Sequence, residues 1–427
     1  WLDRRPGAHK GRPYPGADTQ TCTMPPAARA DLSIDFCGVR FRNPFVLAAA
    51  PATDDLEMVR DAFRLGWAGA VLKTTSVEGT PVPLAYPMMS SFKSAGGATC
   101  GLGNIDLISE HHADVVECRV GALKEEFPDR VVIASIMAAR KEDWQALARR
   151  LGSAGADLIE CSFSCPQGTL GSRPGAMLGQ DVEASRTVAG WVKEAAGRIP
   201  VVIKLTPQVA DIAEAAEAVL GAGADGVCAS NTIPSLMGVD LRTFVPEPDV
   251  GGRSTASGLS GPATRPITLR CIAEIARRTG AQISATGGPV TWRDAAAMMT
   301  VGARTVQFCT AVMLHGADIV EDLVEGLGDH LDASGFRSAA DLVGRALPNI
   351  AGHDDLPRGL GVRARIDADR CVRCGVCFVS CRDGGHRAIR FGADRLPSVD
   401  DSRCVGCGLC RLVCPVPGCV AVAPAPR

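Results

Sequence analysis

The chain has 427 residues, 46% of them hydrophobic, 22% charged and only 4% aromatic, with a formal net charge of −2. That length accommodates a barrel-sized domain of about 250 residues plus one smaller module, and the near-neutral balance excludes the basic surface that nucleic acid or an anionic membrane demands. No apolar run reaches about 18 residues and no secretory-leader pattern is present, so a cytoplasmic protein is expected.

Residues 1–30 read as an N-terminal extension. Trp1 is not an ordinary initiating residue and residues 1–23 are polar and rich in Pro and Gly, so translation is expected to begin at Met24. From Asp31 onward short apolar runs recur: "FVLAAA" (45–50), "GAVLKT" (69–74), "VVIASIM" (131–137), "DLIECS" (157–162), "VVIKLT" (201–206), "DGVCAS" (225–230), "QISAT" (282–286) and "RTVQFC" (304–309). They are too short and too β-branched for helices and read as buried strands. Stretches with helical spacing, such as "DVEASRTVAGWVKEAAGR", lie between most of them. "AGAD" at 154–157 and 222–225 and "VGAR" at 301–304 repeat one turn, a glycine ending a helix before a strand begins; "LGWAG" (65–69) does the same job. Eight such units predict an α/β fold, a (β/α)8 TIM barrel over residues 31–335. The connections 74–131 and 231–266 are longer than the barrel needs, and long insertions after strands place material at the C-terminal mouth, where barrels build their sites. Residues 336–361 read as a linker leading to a Cys-rich domain at 362–427.

Nine of the eighteen cysteines fall in the last 57 residues, which in a chain this long points to metal binding in a reducing compartment. Cys371, Cys374, Cys377 and Cys381, and then Cys404, Cys407, Cys410 and Cys414, both follow C-x2-C-x2-C-x3-C, the bacterial ferredoxin spacing. Three close thiolates hold three corners of a cubane and the fourth Cys of each run serves the other cluster. One [4Fe–4S] cluster is therefore assigned to Cys371, Cys374, Cys377 and Cys414, and the other to Cys404, Cys407, Cys410 and Cys381. A pair of zinc sites is the competing reading, but zinc favours CxxC pairs over triplets with a crossing fourth. Cys419 is left over and is expected to pack beside the second cluster. The first run has Arg382 where the second has Pro415.

Two clusters make a wire, and one of its ends should lie in the barrel. Lys73 in "VLKTT" and Lys204 in "VIKLTP" sit at strand ends, where they could meet the anionic ring of a reduced flavin or simply form solvent salt bridges. "SATGG" (284–288) and "QFCTAV" (307–312) end the seventh and eighth strands, where barrels bind phosphate through backbone N–H groups, and Gly287 and Gly288 allow close approach. No G-x-G-x-x-G opens a helix after a strand, so a nicotinamide cofactor is expected on another polypeptide. Cys165, before a glycine-rich loop, reads as a buried hydrophobe, a metal ligand, a nucleophile or a proton donor.

With "DLSIDFCGVRFRNPF" (31–45), "IASIM", "SCPQG", "GQD", "KLTP", "ASNT", "LMG", "SGLSGPATRPI" (257–267), "ATGG" and the C-x-x-C-G-x-C runs, the chain resembles the iron–sulfur/FMN subunits of the dihydropyrimidine dehydrogenase family. Its barrel is similar to that of dihydroorotate dehydrogenases. The resemblance implies FMN held by Ala49, Lys73, Thr74, Lys204, Gly261, Thr286, Gly287, Gly288, Cys309 and Thr310. It implies pyrimidine contacts from Asn104, Ser162, Phe163, Ser164, Asn231 and Thr232, with Cys165 as general acid on a loop whose glycines suit a mobile lid. The implied reaction interconverts 5,6-dihydropyrimidines and uracil or thymine, with electrons from an NAD(P)H- and FAD-binding flavoprotein partner; an oligomer is expected. Ser162 stands where the family usually has Asn, and Gln208 also replaces an Asn, so substrate preference is expected to be altered or binding weakened. Two other readings remain: a dihydroorotate- or enoyl-type reductase, although the substrate motifs hold no extra cation for a carboxylate, and a non-catalytic electron-transfer subunit.

Overall fold

The structure, a computed structural model, describes residues 29–77, 79, 84–163 and 178–424. Eight parallel strands close into a barrel: β1 (Phe45–Leu47), β2 (Gly69–Val71), β3 (Val131–Ile136), β4 (Leu158–Ser162), β5 (Val201–Leu205), β6 (Gly226–Ala229), β7 (Ile283–Thr286) and β8 (Ala303–Phe308). They are the eight runs picked out by hydrophobicity, in chain order, with β8 closing on β1 through Val306 beside Phe45. The first two ladders stop earlier than the apolar runs do. Beyond Leu47 the first ladder keeps Ala48 N–H to Phe308 O, and beyond Val71 the second keeps Leu72 N–H to Ile133 O, at 2.9 Å each, and then an isolated bridge at Thr75, which donates to Ser135 O and accepts from Met137 N–H at 3.0 Å each.

Helices alternate with the strands for local reasons. Asp55, Asp181 and Asp211 cap the helices Leu56–Leu65, Val182–Ala196 and Ile212–Gly221 by accepting from backbone N–H groups in the first turn. The repeated AGAD turn has a structural reason for both of its marked residues. Its glycines, Gly155 and Gly223, have φ of +103° and +101°, a region closed to side chains that carry a Cβ. Its aspartates bridge layers: Asp157 accepts from Val132 N–H at 2.8 Å and from Lys124, and Asp225 accepts from Val201 N–H at 2.7 Å and from Lys193. Each carboxylate thereby ties the neighbouring strand's entry to the end of the helix outside it.

The two long insertions meet at the mouth as a four-stranded antiparallel sheet, in the order Ile233–Ser235, Ser257–Ser260, Thr99–Asn104, Met89–Lys93. The sequence marked the insertions but not this sheet. It fixes Asn104 opposite Gly258 and Met89. At the other end a hairpin, Ile34–Phe36 with Val39–Phe41, seals the barrel floor. Its Phe36 and Cys37 lie so close to Gly226 that a Cβ there would strike the Cys37 sulfur at 2.6 Å.

The chain divides into two units, the first ending at Pro348 and the second beginning at Asn349. The segment after the last barrel helix stays with the barrel because Ala339 and Leu342 are buried in its core and Ala339 N–H donates to Asp31 O at 2.8 Å. The second unit pairs Val362–Ile366 with Val420–Pro424 and Ile389–Phe391 with Pro397–Val399, around the helices Val376–Gly384 and Leu409–Val413. Its core is small: Ala364, Ala388, Ile389 and Val420 with four buried cysteines. A unit of this size needs cross-links or metal to hold together. Among the described residues no helix is long and apolar enough to cross a membrane.

Candidate active site

A cavity of about 550 Å³ opens at the barrel mouth, lined by Ala49, Lys73, Thr74, Asn104, Asp106, Ser162, Lys204, Asn231, Thr232 and Cys309 among others. A smaller chamber of about 60 Å³, walled by Gly261, Thr286, Gly287, Gly288, Gln307 and Thr310, shares Ala49, Lys204, Asn231, Thr232 and Cys309 with it. Apart from Asp106 and Gln307, these are residues expected at the flavin and the pyrimidine, gathered from seven of the eight strand ends and the mouth sheet.

Neither lysine is a solvent salt bridge. Lys73 is 7% exposed and forms an ion pair with Asp106; Lys204 is 6% exposed and donates to Glu160 at 3.3 Å. Burial works to depress the Lys204 pKa, but the Glu160 carboxylate outweighs it and carries it above the ordinary lysine value. Burial pushes the Cys309 thiol up against the pull of Lys204 and Lys73, and burial with the Glu160 charge pushes Cys228 well up, so both thiols stay neutral. Beneath the cavity the barrel interior is polar. Gln307 donates to Glu160 at 2.8 Å and to Ser284 at 3.1 Å, Thr305 donates to Ser284, and Thr74 bonds Ser135 at 2.8 Å.

One expected contact falls elsewhere. Phe163 is fully buried, its ring edge-on to Trp144 at 5.9 Å, and it lines neither cavity. Alternation along the end of β4 sends Ser162 to the cavity and Phe163 outward into the helix layer. Ser164 and Cys165 lie outside the described residues. Asp106, Glu160 and Gln307 were not singled out from the sequence. Each carried a signal: Asp106 follows Asn104 by two in "GLGNIDL", and Glu160 and Gln307 interrupt otherwise apolar strands.

In the second unit four cysteines, Cys371, Cys374, Cys377 and Cys414, line one small cavity, and Cys381, Cys404, Cys407 and Cys410 line another. The fold thus brings together the two crossed sets read from the spacing. Among the described residues no three His, Cys, Asp or Glu side chains converge closely enough to hold a single metal ion. Cys419 corrects an expectation: it lines the cavity of Cys371 and Cys414 rather than that of the second run. The reason is its place at the end of the strand pair Val362–Ile366 with Val420–Pro424, where its carbonyl accepts from Asp367 N–H at 2.8 Å just before Cys371. Backbone N–H groups also aim at ligand sulfurs, from Ala364 to Cys404, Arg373 to Cys371 and Ala388 to Cys381 at 3.3–3.4 Å. Such bonds stabilise thiolate charge and raise cluster potential.

A dihydroorotate dehydrogenase profile matches residues 31–331, and a 4Fe–4S dicluster domain profile matches residues 364–422. The chain is 41% identical over 394 residues to the NAD-dependent dihydropyrimidine dehydrogenase subunit PreA of Escherichia coli strain K12, covering 91% of this chain and 95% of that one. The chain belongs to the dihydroorotate dehydrogenase family, in the group that carries dihydropyrimidine dehydrogenase subunits. A chloroplastic dihydropyrimidine dehydrogenase (NADP+) of Arabidopsis thaliana is 36% identical over 338 residues, 76% of this chain and 79% of the relative. The catalytic subunit of dihydroorotate dehydrogenase B (NAD+) of Pyrococcus abyssi is 32% identical over 323 residues, 74% of this chain and 99% of the relative.

The family's cofactors are FMN in the barrel and, in the dicluster domain, two [4Fe–4S] clusters, and the barrel residues fit the flavin. Gly287 and Gly288 have φ of +118° and +91°, and a Cβ on Gly288 would lie 2.7 Å from Arg265 N, so the backbone comes bare to the inner chamber. The buried amide oxygen of Gln307, beside the same chamber, has no partner among the described residues. A ligand rich in N–H and O–H groups supplies what such an acceptor lacks.

Proposed function

We propose that the chain is the catalytic iron–sulfur/FMN subunit of a dihydropyrimidine dehydrogenase, interconverting dihydrouracil or dihydrothymine and uracil or thymine. The observation that carries this reading is the wall of the cavity. Asn104, Ser162, Asn231 and Thr232 supply neutral donors and acceptors, which suit a ring edge of alternating N–H and C=O groups. Among the described residues lining the cavity the cations are Lys73 and Lys204, and both are paired with carboxylates. A dihydroorotate carboxylate would find no unpaired cation there, which favours the uncharged pyrimidine.

In this reading Ala49, Lys73, Thr74, Lys204, Gly261, Thr286, Gly287, Gly288, Cys309 and Thr310 hold FMN, which when bound supplies hydride chemistry at C6 of the pyrimidine. Asn104, Asn231 and Thr232 orient the ring, and Ser162 offers one hydroxyl. Cys165, whose position lies outside the described residues, delivers or takes the proton at C5. Proton transfer to carbon needs an acid held at bonding distance with water excluded, and general acid catalysis of this kind contributes about 10²–10⁴-fold. The two crossed cysteine sets hold the clusters, which relay electrons from an NAD(P)H-oxidising flavoprotein partner. The test is steady-state turnover of uracil, thymine and their dihydro forms by the purified chain with an artificial electron donor. Turnover is expected with the artificial donor and little with NADH alone. Absence of pyrimidine turnover in protein loaded with FMN and clusters would overturn the proposal, and strong NADH oxidation by the isolated chain would overturn the partner.

A further inference from the structure

Glu160 is 1% exposed in the middle of β4 and lines neither cavity, yet both of its oxygens are engaged. One accepts from Lys204 at 3.3 Å and the other from Gln307 at 2.8 Å. Gln307 is itself 1% exposed and anchored on Ser284. Lys204 lines both cavities, so Glu160 sits behind it, on the side away from the bound groups. An ion pair this deep gives little net stability, because desolvation consumes most of the Coulombic gain, and apolar residues of the same volume do as well or better. Stability therefore leaves the pair unexplained.

We propose that Glu160 is a positioning residue: it holds Lys204 protonated and aimed at the cofactor cavity, and Gln307 holds Glu160 in place. This rests on the reading of the cavity as a flavin site. A lysine in a dry barrel without a partner loses about 3–5 pH units of basicity, which brings an amine that ordinarily titrates near about 10.4 down to about pH 5.5–7.5. The groups facing Lys204 are Glu160 from β4, Cys228 from β6 and Cys309 after β8. Lys73, the other nearby cation, is tied to Asp106. Both thiols are neutral, so Glu160 is the one anion among them that stands against the cost of burial. A protonated Lys204 favours the negative charge that a flavin gains on two-electron reduction, and a neutral one does not.

The experiment compares the FMN midpoint potential of the full chain, loaded with FMN and clusters, in wild type and Glu160→Gln from pH 5 to 9. The near-isosteric amide keeps the volume and removes the charge. At pH 5 the variant keeps a largely protonated Lys204 without its counter-charge, and its potential is expected above wild type. At pH 9 Lys204 is neutral, and the potential is expected below wild type. The expected change in the reduction equilibrium between variant and wild type is about 10- to 100-fold, or about 30–60 mV at 29.6 mV per tenfold for a two-electron couple. An offset that changes sign with pH supports the proposal, whereas a constant offset or none overturns it. A residue that only supports the fold would not move the pH profile. Should Glu160→Gln fail to fold, Glu160→Asp, which withdraws the charge by one methylene, is read in the same way with a smaller offset. Acetic anhydride labelling of Lys204 across the same pH range in the FMN-free chain gives a readout independent of the flavin. The amine is expected to stay unreactive in wild type up to pH 9 and to become reactive in the variant; equal labelling overturns the proposal. Wild-type protein that binds no FMN refutes the flavin reading, and the labelling still decides the role of Glu160.

Discussion

Gly288→Ala isolates the cradle argument. Gly288 has φ +91°, and an added Cβ would lie 2.7 Å from Arg265 N and 2.8 Å from Gly261 O. Both are backbone atoms on the segment that opens the helix Arg265–Thr279, so no side-chain rotation relieves the clash. Holding a residue with a Cβ at this φ costs about 1–2 kcal/mol, and forcing a methyl into packed surroundings costs about 1–3 kcal/mol more. The loop must relax by moving the backbone that walls the inner chamber. A total of about 2–5 kcal/mol, spent where FMN binds, weakens FMN affinity by at least about 30-fold, taking about 1.4 kcal/mol per tenfold. Gly280→Ala is the matched control: φ is +64° at the end of the same helix, with nothing within 4 Å of its Cβ. It bears about 1 kcal/mol of conformational cost alone and lies away from the chamber. FMN occupancy by visible absorbance, FMN affinity of the stripped protein by fluorescence quenching, and Tm without FMN separate the two. The reasoning is refuted if Gly288→Ala binds FMN as wild type does, or if Gly280→Ala loses FMN equally.

Cys165→Ala is expected to lower pyrimidine turnover by about 10²–10⁴-fold while FMN and cluster absorbance stay at wild-type levels; unchanged turnover would remove Cys165 from the mechanism. Cys414→Ala is expected to lose the cluster bound with Cys371, Cys374 and Cys377, and Cys381→Ala the cluster bound with Cys404, Cys407 and Cys410. Electron paramagnetic resonance of the reduced variants, read alongside Cys371→Ala and Cys404→Ala, distinguishes this crossed pattern from an uncrossed one. Ser162→Asn adds an amide at the cavity, and one recovered hydrogen bond of about 0.5–1.5 kcal/mol lowers KM for uracil by about 2- to 10-fold at similar kcat. Equal KM values for uracil and for thymine in both proteins would show that this position does not grip the ring.

The barrel was legible because its strands are buried on both faces and separated by amphipathic helices, so hydrophobicity alone marks all eight. The mouth sheet was not. Strands such as Ile233–Ser235 and Met89–Lys93 are half-exposed edge strands that carry Ser, Pro and Lys, and only the long-range pairing of Ser257–Ser260 with Thr99–Asn104 joins their two local pairs into one sheet. Within the site, lysines at strand ends and the glycine pair were readable from their place on the barrel. Their partners were not, since Lys73–Asp106 and Lys204–Glu160 join segments 33 and 44 residues apart. Phe163 shows the limit of carrying a motif over residue by residue: strand alternation puts neighbours on opposite faces, and of Ser162 and Phe163 it is Ser162 that reaches the cavity. The cysteine sets were readable because the ligand spacing is itself the geometric constraint. Cys419 has no such spacing, and its place follows from the pairing of the unit's first and last strands.

Charge balance connects these particulars to chemistry. The cavity holds two lysines, and each is offset by a carboxylate: Asp106 in the wall of the cavity and Glu160 behind it. A site so neutralised presents polarity without net charge among its described residues. A carboxylate-bearing ring entering it would surrender its hydration for no unpaired cation, at a cost of several kcal/mol. A neutral pyrimidine surrenders only hydrogen bonds, which Asn104, Asn231 and Thr232 can return. The two pairs differ in consequence as well as in place. Lys73 and Asp106 are both in contact with the cavity and can exchange partners with whatever binds there. Lys204 is fixed from behind by Glu160 and Gln307, so its charge is set before anything binds. Under the proposed reading, the first pair belongs to recognition and the second to the electronics of the flavin.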